Sequence, residues 1–140
     1  MSRLVVDASV AVKWFLREVH TDQAQSLLGR DHELLVPDLI WAELGNVLWK
    51  RRRSGELTLA AAHEMLHDFA SFPLIVYPTR GLAHAALTIA DDIGRAIYDC
   101  FYLALAVAER CRLVTADRRF HDAILRGAFA PYILWVEETP

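Results

Sequence analysis

Short apolar runs rich in β-branched residues alternate along this chain with longer segments whose apolar positions recur at helical spacing. The alternation predicts strands joined by helices, an α/β fold with a parallel sheet. Strands are predicted over residues 4–7, 34–36, 74–77, 113–116 and 133–136. Ser9 can cap a first helix through Val10, Trp14 and Phe15, and a second helix is predicted over residues 22–30. Pro37 closes a strand, and Asp38 then opens a long helix through Leu39, Ile40, Leu44, Val47 and Leu48 that stops near Gly55. Further helices are predicted over residues 57–69, 81–91 and 117–126, with Gly94 as a breaker. Residues 96–109 are apolar almost all round, which predicts a helix buried in the body of the domain. No repeat, linker or low-complexity stretch interrupts the pattern, and residues 1–140 are expected to form a single domain.

Most of the 18 acidic residues fall on faces or loops where a solvated carboxylate is ordinary. Four do not. Asp7 ends the first predicted strand and Asp117 follows the fourth, and carboxyl ends of parallel strands are where open α/β sheets bind ligands. Capping the next helix is the plainer explanation for either one. Asp99 is the only charge between Ile97 and Ala108, and a buried carboxylate needs a cation, a metal or several donors. Its first-turn position contributes only about 0.3–1 kcal/mol through the helix dipole. Glu43 lies one turn from both Ile40 and Val47, at the margin of the apolar stripe. Four carboxylates from four segments make an all-oxygen site suited to a hard cation, Mg2+ or Mn2+, with positions left for phosphate oxygens. The chemistry such a site supports is phosphoryl-centred.

Composition narrows the setting. The chain has 140 residues, 54% of them hydrophobic, enough to bury a core without disulfides or a structural metal. Its two cysteines, Cys100 and Cys111, lie in apolar surroundings without CxxC spacing and read as reduced thiols. No apolar run approaches a membrane span, and Asp7 and Lys13 interrupt the N-terminal apolar stretch, so a cytoplasmic location is expected. The net charge of −3 argues against nucleic acid at first sight. With four acids gathered at a metal site, however, the remainder is slightly basic and the bound cation itself attracts phosphate.

The segments LVVDASV, PDLIWAELGNVL, IYDCFYLALA and LVTADRRF resemble, in order and over almost the whole chain, the four acidic motifs of PIN-domain ribonucleases of the VapC toxin type. That resemblance implies a three-layer α/β/α sandwich with a central parallel sheet and a Mg2+- or Mn2+-dependent endoribonuclease. Asp7, Asp99 and Asp117 would be the main metal-binding acids, with Glu43 holding a second ion or orienting the attacking water. Ser9 and Thr115 match small hydroxyl positions that flank the first and last acids and could hold ligands or waters in place, although a cap and a strand residue are equally good explanations. Asn46, close to Glu43 by helical spacing, is a weaker candidate to support the site. The implied partners are an RNA substrate, tRNA or rRNA, a small cognate VapB-type antitoxin and a second copy of the chain in a homodimer. Such a toxin limits translation when its antitoxin is lost.

Other patterns compete. His63, Glu64 and His67 form HEMLH, a literal HExxH zinc-peptidase match, but the extended motif fails at Ala70 and Pro73, and a third ligand would have to be His84, Asp91 or Asp92. An exposed helix with Ala62, Met65, Leu66 and Phe69 inward explains it as well. A Mg2+-dependent aspartyl phosphatase or phospho-receiver would keep the acids, yet Asp7-Ala8-Ser9 lacks the second acid of DxD. A non-catalytic PIN-like binding module leaves four retained acids unexplained. No phosphate-cradling glycine loop or nucleophile elbow is present. Lys50, Arg51, Arg52 and Arg53 form a basic run at a helix end, either an RNA phosphate track or a solvated, dipole-favoured terminus. Arg118 and Arg119 follow Asp117 and could steady substrate phosphate. Trp14, Trp41, Trp49 and Trp135, with Phe15, supply more aromatic area than a small core hides, so some are expected at an interface.

Overall fold

In the computed structural model, which describes residues 2–29 and 31–140, five strands form one sheet in the order β3-β2-β1-β4-β5, and every neighbouring pair is parallel. The strands are β1 (Ser2–Val6), β2 (His32–Pro37), β3 (Leu74–Tyr77), β4 (Arg112–Thr115) and β5 (Ile133–Trp135). Among the described residues seven α-helices accompany them: α1 (Ala8–Ala11), α2 (Thr21–Ser26), α3 (Ile40–Arg53), α4 (Leu59–Ala70), α5 (Ala83–Ile93), α6 (Ile97–Ala108) and α7 (Arg118–Leu125). The predicted end of the second helix at Arg30 lies outside the described residues.

The strand order decides where a site can form. From β1 the chain steps to β2 and β3 on one side, then returns across the sheet to β4 and β5 on the other. Right-handed crossovers running in opposite directions put their helices on opposite faces, so the sheet is sandwiched, as the sequence predicted. The direction reverses between β1 and β4, where Val6 pairs with Val114. The crevice beyond the carboxyl ends of these two strands is therefore the natural ligand position.

Central strands read as continuous apolar runs because both faces are covered. Val5, Val6, Leu35, Val36, Leu113 and Val114 are fully buried. Helix α6 packs on β1, β2 and β4 and buries Cys100, Tyr102, Leu103, Ala104, Leu105 and Ala106. It is not buried all round: Tyr98 stands out at 59% exposure and Asp99 is half-buried. Helix α5 ends on Gly94 at φ 69°, a left-handed cap that lets α5 turn back onto α6. A second cluster joins Trp14, Phe15, Phe69 and Phe72, with the Phe15 and Phe72 rings stacked at 5.4 Å. Trp14 and Trp135 are buried, whereas Trp41 and Trp49, both on α3, are exposed. Both cysteines are free, and among the described residues no helix is long and apolar enough to cross a membrane.

Candidate metal centre

Two strand ends and two helix starts converge on one cleft. Asp7 follows β1, Asp117 comes two residues after β4, Glu43 lies in the first turn of α3 and Asp99 in the first turn of α6. All four line a cleft of about 220 Å3, together with Ala8, Ser9, Val12, Val47 and Tyr102. In the sequence, capping and site membership were alternatives for Asp7 and Asp117, but each residue caps its helix and also lines the cleft. Asp7 Oδ1 accepts the Val10 N–H at 3.2 Å and so caps α1, while Asp117 Oδ1 accepts the Phe120 N–H at 3.2 Å and caps α7. The Oδ2 of Asp117 faces Arg95 instead.

Ser9 does not cap the first helix, contrary to expectation. It is the second residue of α1, because Asp7 already occupies the cap position, its carboxylate accepting the Val10 N–H. Its hydroxyl donates to Asp7 Oδ1 at 2.5 Å and accepts the Ala116 N–H at 2.9 Å. Thr115, wholly buried, has its Oγ1 3.4 Å from Ser9 Oγ and accepts the Asp117 N–H at 3.1 Å. The two hydroxyls thus tie the β1–α1 turn to the β4–α7 turn and fix the spacing of the first and last acids.

Crowded acids shift one another. Burial pushes the Asp7 carboxyl up to about 6 against the Ser9, Thr115 and Val10 donors, and the Asp99 charge adds to the rise. Glu43 is raised mainly by burial, with Tyr102 opposing and Asp99 reinforcing. Asp99 is also raised by burial, while Arg95 pulls it down and Asp117 lifts it. The Tyr102 hydroxyl is driven far up by burial and by the Glu43 charge, so it stays protonated. It lies near Glu43 without meeting hydrogen-bond geometry, and both the hydroxyl and Glu43 Oε1 are buried without a partner.

Arg95 supplies the positive charge that sequence reasoning missed. Its Nη2 lies 3.4 Å from Asp99 Oδ2 and 3.9 Å from Asp117 Oδ2, and its guanidinium sits 5.2 Å over the Phe120 ring. A cation four residues before an acid that needs one was the available signal. Among the described residues no three His, Cys, Asp or Glu side chains stand close enough to form a ready-made cage. Holding an ion would need Glu43 and Asp99 to draw toward the tied Asp7 and Asp117, and Arg95 to release its contacts. The donor set itself fits a hard divalent cation: it is all oxygen, excess negative, and includes an unpartnered Glu43 oxygen.

The remaining candidates are placed elsewhere. Asn46 is exposed, bonds none of the acids and lines a neighbouring cleft. Arg51 is held by Glu18 and, at 2.8 Å, by Glu56, and Arg53 lies over Trp49 at 5.5 Å. The whole basic run begins seven residues past Glu43, roughly 10 Å further along α3. Arg118 sits 3.8 Å over the Trp135 ring and Arg119 is exposed. On α4, His63, Glu64 and His67 are all exposed while Ala62 and Phe69 are buried, as the amphipathic pattern predicted. Neither His84, Asp91 nor Asp92 completes a zinc site with them.

Comparison with known proteins adds a family. Residues 4–124 match the PIN domain family. Ribonuclease VapC3 of Pyrobaculum aerophilum is 34% identical over 122 residues, covering 86% of this chain and 93% of that protein. Ribonuclease VapC9 of Mycobacterium tuberculosis is 33% identical over 119 residues, 85% of this chain and 89% of its own length. The crystal structure of PAE2754 from Pyrobaculum aerophilum matches 97% of this chain and 85% of that one, with a TM-score of 0.71 and 30% identity.

Proposed function

The chain belongs to the PIN domain family, and on that premise we propose that it is a VapC-type ribonuclease, the toxin of a toxin–antitoxin pair, that hydrolyses RNA phosphodiesters at the acidic cleft. The observation that carries this reading is the convergence of Asp7, Glu43, Asp99 and Asp117, from four separate elements, on one cleft at the reversal point of the sheet. Similarity to VapC ribonucleases over most of the chain supports the same activity.

Divalent-metal dependence is general to this family, and the oxygen-rich donor set favours Mg2+ or Mn2+ over softer ions. Asp7, Asp99 and Asp117 would hold the ion, with Glu43 at the margin. When bound, such an ion supplies positive charge to the phosphate oxygens and makes a nearby water more acidic. The protein's own contributions follow from the geometry. Ser9 and Thr115 tie the turns that carry Asp7 and Asp117, so these two acids, though not Glu43 and Asp99, keep their spacing before substrate arrives. Glu43, with an unpartnered oxygen and a raised pKa, orients the attacking water and takes its proton. The water oxygen joins phosphorus as the bond to the ester oxygen breaks; the leaving oxygen takes a proton from solvent, and Glu43 later returns to solvent the one that it took. Val12, Val47 and Tyr102 narrow the cleft and limit bulk water around the acids.

A VapB-type antitoxin is the matching partner, since an acidic cleft invites a basic side chain. The exposed Trp41 and Trp49 on α3 supply aromatic contact area for that antitoxin or for a second copy in a homodimer.

The reading is tested by incubating purified, antitoxin-free protein with a mixed structured-RNA pool in EDTA, Mg2+, Mn2+ or Zn2+, beside Asp99→Asn. Cutting that needs Mg2+ or Mn2+ and falls at least about a hundredfold in the folded mutant is expected. Full activity in the mutant, or cutting with Zn2+ alone, refutes it.

A further inference from the structure

Beside the acidic cleft lies a second one of about 290 Å3 that the hydrolytic chemistry leaves unused. We propose that it seats one unpaired nucleobase of the RNA next to the bond being cut, with Tyr98 as the stacking surface and Asn46 as the group that reads the base edge. The proposal rests on the ribonuclease reading and extends it to sequence preference.

Continuity is the first support. Ala8, Glu43 and Val47 line both clefts, so a nucleotide whose phosphate lies at the acids has its base directed along a shared wall. Along α3, Leu39, Ala42, Glu43, Asn46 and Val47 fall on one face by their three- and four-residue spacing. Across from them is Tyr98, the immediate neighbour of Asp99.

The chemistry of the walls chooses the occupant. Leu39, Ala42 and Val47 are apolar, and among the described residues no lysine, arginine or histidine lines this cleft. Among the described residues Glu43 is its single charge, so a phosphate or another anion is repelled while a neutral heterocycle is accepted. Tyr98 is 59% exposed on a helix whose inward residues are buried, and a tyrosine left facing solvent beside an RNA-cutting site is a stacking platform. Asn46 is exposed and lines this cleft. Its amide offers paired donor and acceptor atoms, the arrangement that distinguishes one base edge from another. Because Asn46 faces this cleft, its role near Glu43 is recognition of substrate rather than support of the acids.

Two measurements test this, and they separate its failure from failure of the ribonuclease reading. In EDTA, where no cutting is expected, fluorescence anisotropy compares short homopolymeric oligoribonucleotides with a fully abasic oligomer of the same length. The wild type is expected to bind at least one base-bearing oligomer roughly 5- to 100-fold more tightly than the abasic chain, Tyr98→Ala to lose that margin, and Tyr98→Phe to keep it. With Mg2+ or Mn2+, sequencing the products of a random oligoribonucleotide pool reads preference at each position beside the cut. Asn46→Ala is expected to flatten the preference at one position among the products that are formed. Unchanged base preference and affinity in Tyr98→Ala, with cutting intact, overturns the base site and leaves the ribonuclease. Base-dependent binding through Tyr98 without any cutting keeps the base site and removes the ribonuclease. Equal binding of base-bearing and abasic chains by the wild type overturns the proposal.

Discussion

Replacing Asp7 by asparagine should make the metal-free protein more stable while destroying its site. Asp7 is buried, and its carboxyl is pushed from an ordinary 3.8 up to about 6, chiefly by burial. The folded chain thus holds this proton more tightly than the unfolded chain does. For a carboxyl shifted in that direction stability falls as pH rises from about 4 through about 6, and the full loss is present above that window. The gap of roughly two pH units corresponds to about 3 kcal/mol opposing folding near pH 8. Asparagine keeps an oxygen to accept from Ser9 and Val10 and is itself a good N-cap, so the turn should survive. The new amide donors, buried in part, take back about 1 kcal/mol. A net gain of about 2 kcal/mol, or a Tm rise of about 7 °C in a domain of this size, is expected near pH 8 and should vanish or slightly reverse near pH 4. Scanning calorimetry in EDTA across that range measures it, and adding Mn2+ should stabilise the wild type alone. A mutant that melts below the wild type near pH 8, or a difference that does not change with pH, refutes the claim that Asp7 is held charged against its surroundings.

Three other changes follow from the same geometry. Arg95→Gln removes two half-exposed ion pairs worth about 0.5–1 kcal/mol each, so Mn2+ titrated calorimetrically should bind several-fold more tightly; unaltered or weaker binding would show that Arg95 does not compete for the acids. Ser9→Ala strands the Ala116 N–H and takes a donor from Asp7, costing about 1–3 kcal/mol in urea denaturation and lifting the Asp7 carboxyl further; a neutral substitution contradicts the inter-turn tie. His63→Ala should change stability by less than about 0.5 kcal/mol and leave RNA cleavage intact, whereas loss of activity would return the HEMLH segment to consideration.

The elements were legible because their signals are local. A β-branched run ending in an aspartate that caps the next helix describes both β1–Asp7–α1 and β4–Asp117–α7, and all five strands and seven helices lie where apolar periodicity put them. Boundaries shifted where tertiary contacts outbid propensity. Asp38, expected to open α3, accepts instead from the Thr79 N–H at 3.0 Å, and the helix begins at Ile40. Asp99, expected to be buried, is half-exposed because the first turn of α6 forms the rim of the cleft.

What the sequence determined by itself was the inventory: four carboxylates in four segments, each beside a local feature that positions its own backbone. What only the tertiary structure decided was which groups meet. Strand order is a property of the whole sheet, and only the adjacency of β1 and β4 sets Asp7 beside Asp117 and lets Ser9 reach Ala116. The same packing brings Arg95 between two acids, turns Asn46 and Tyr98 toward a second cleft and ties Arg51 to Glu18, thirty-three residues away. Propensity and periodicity act over a few residues and so specify elements, whereas charge and hydrogen bonding act through space and take their partners from the packing.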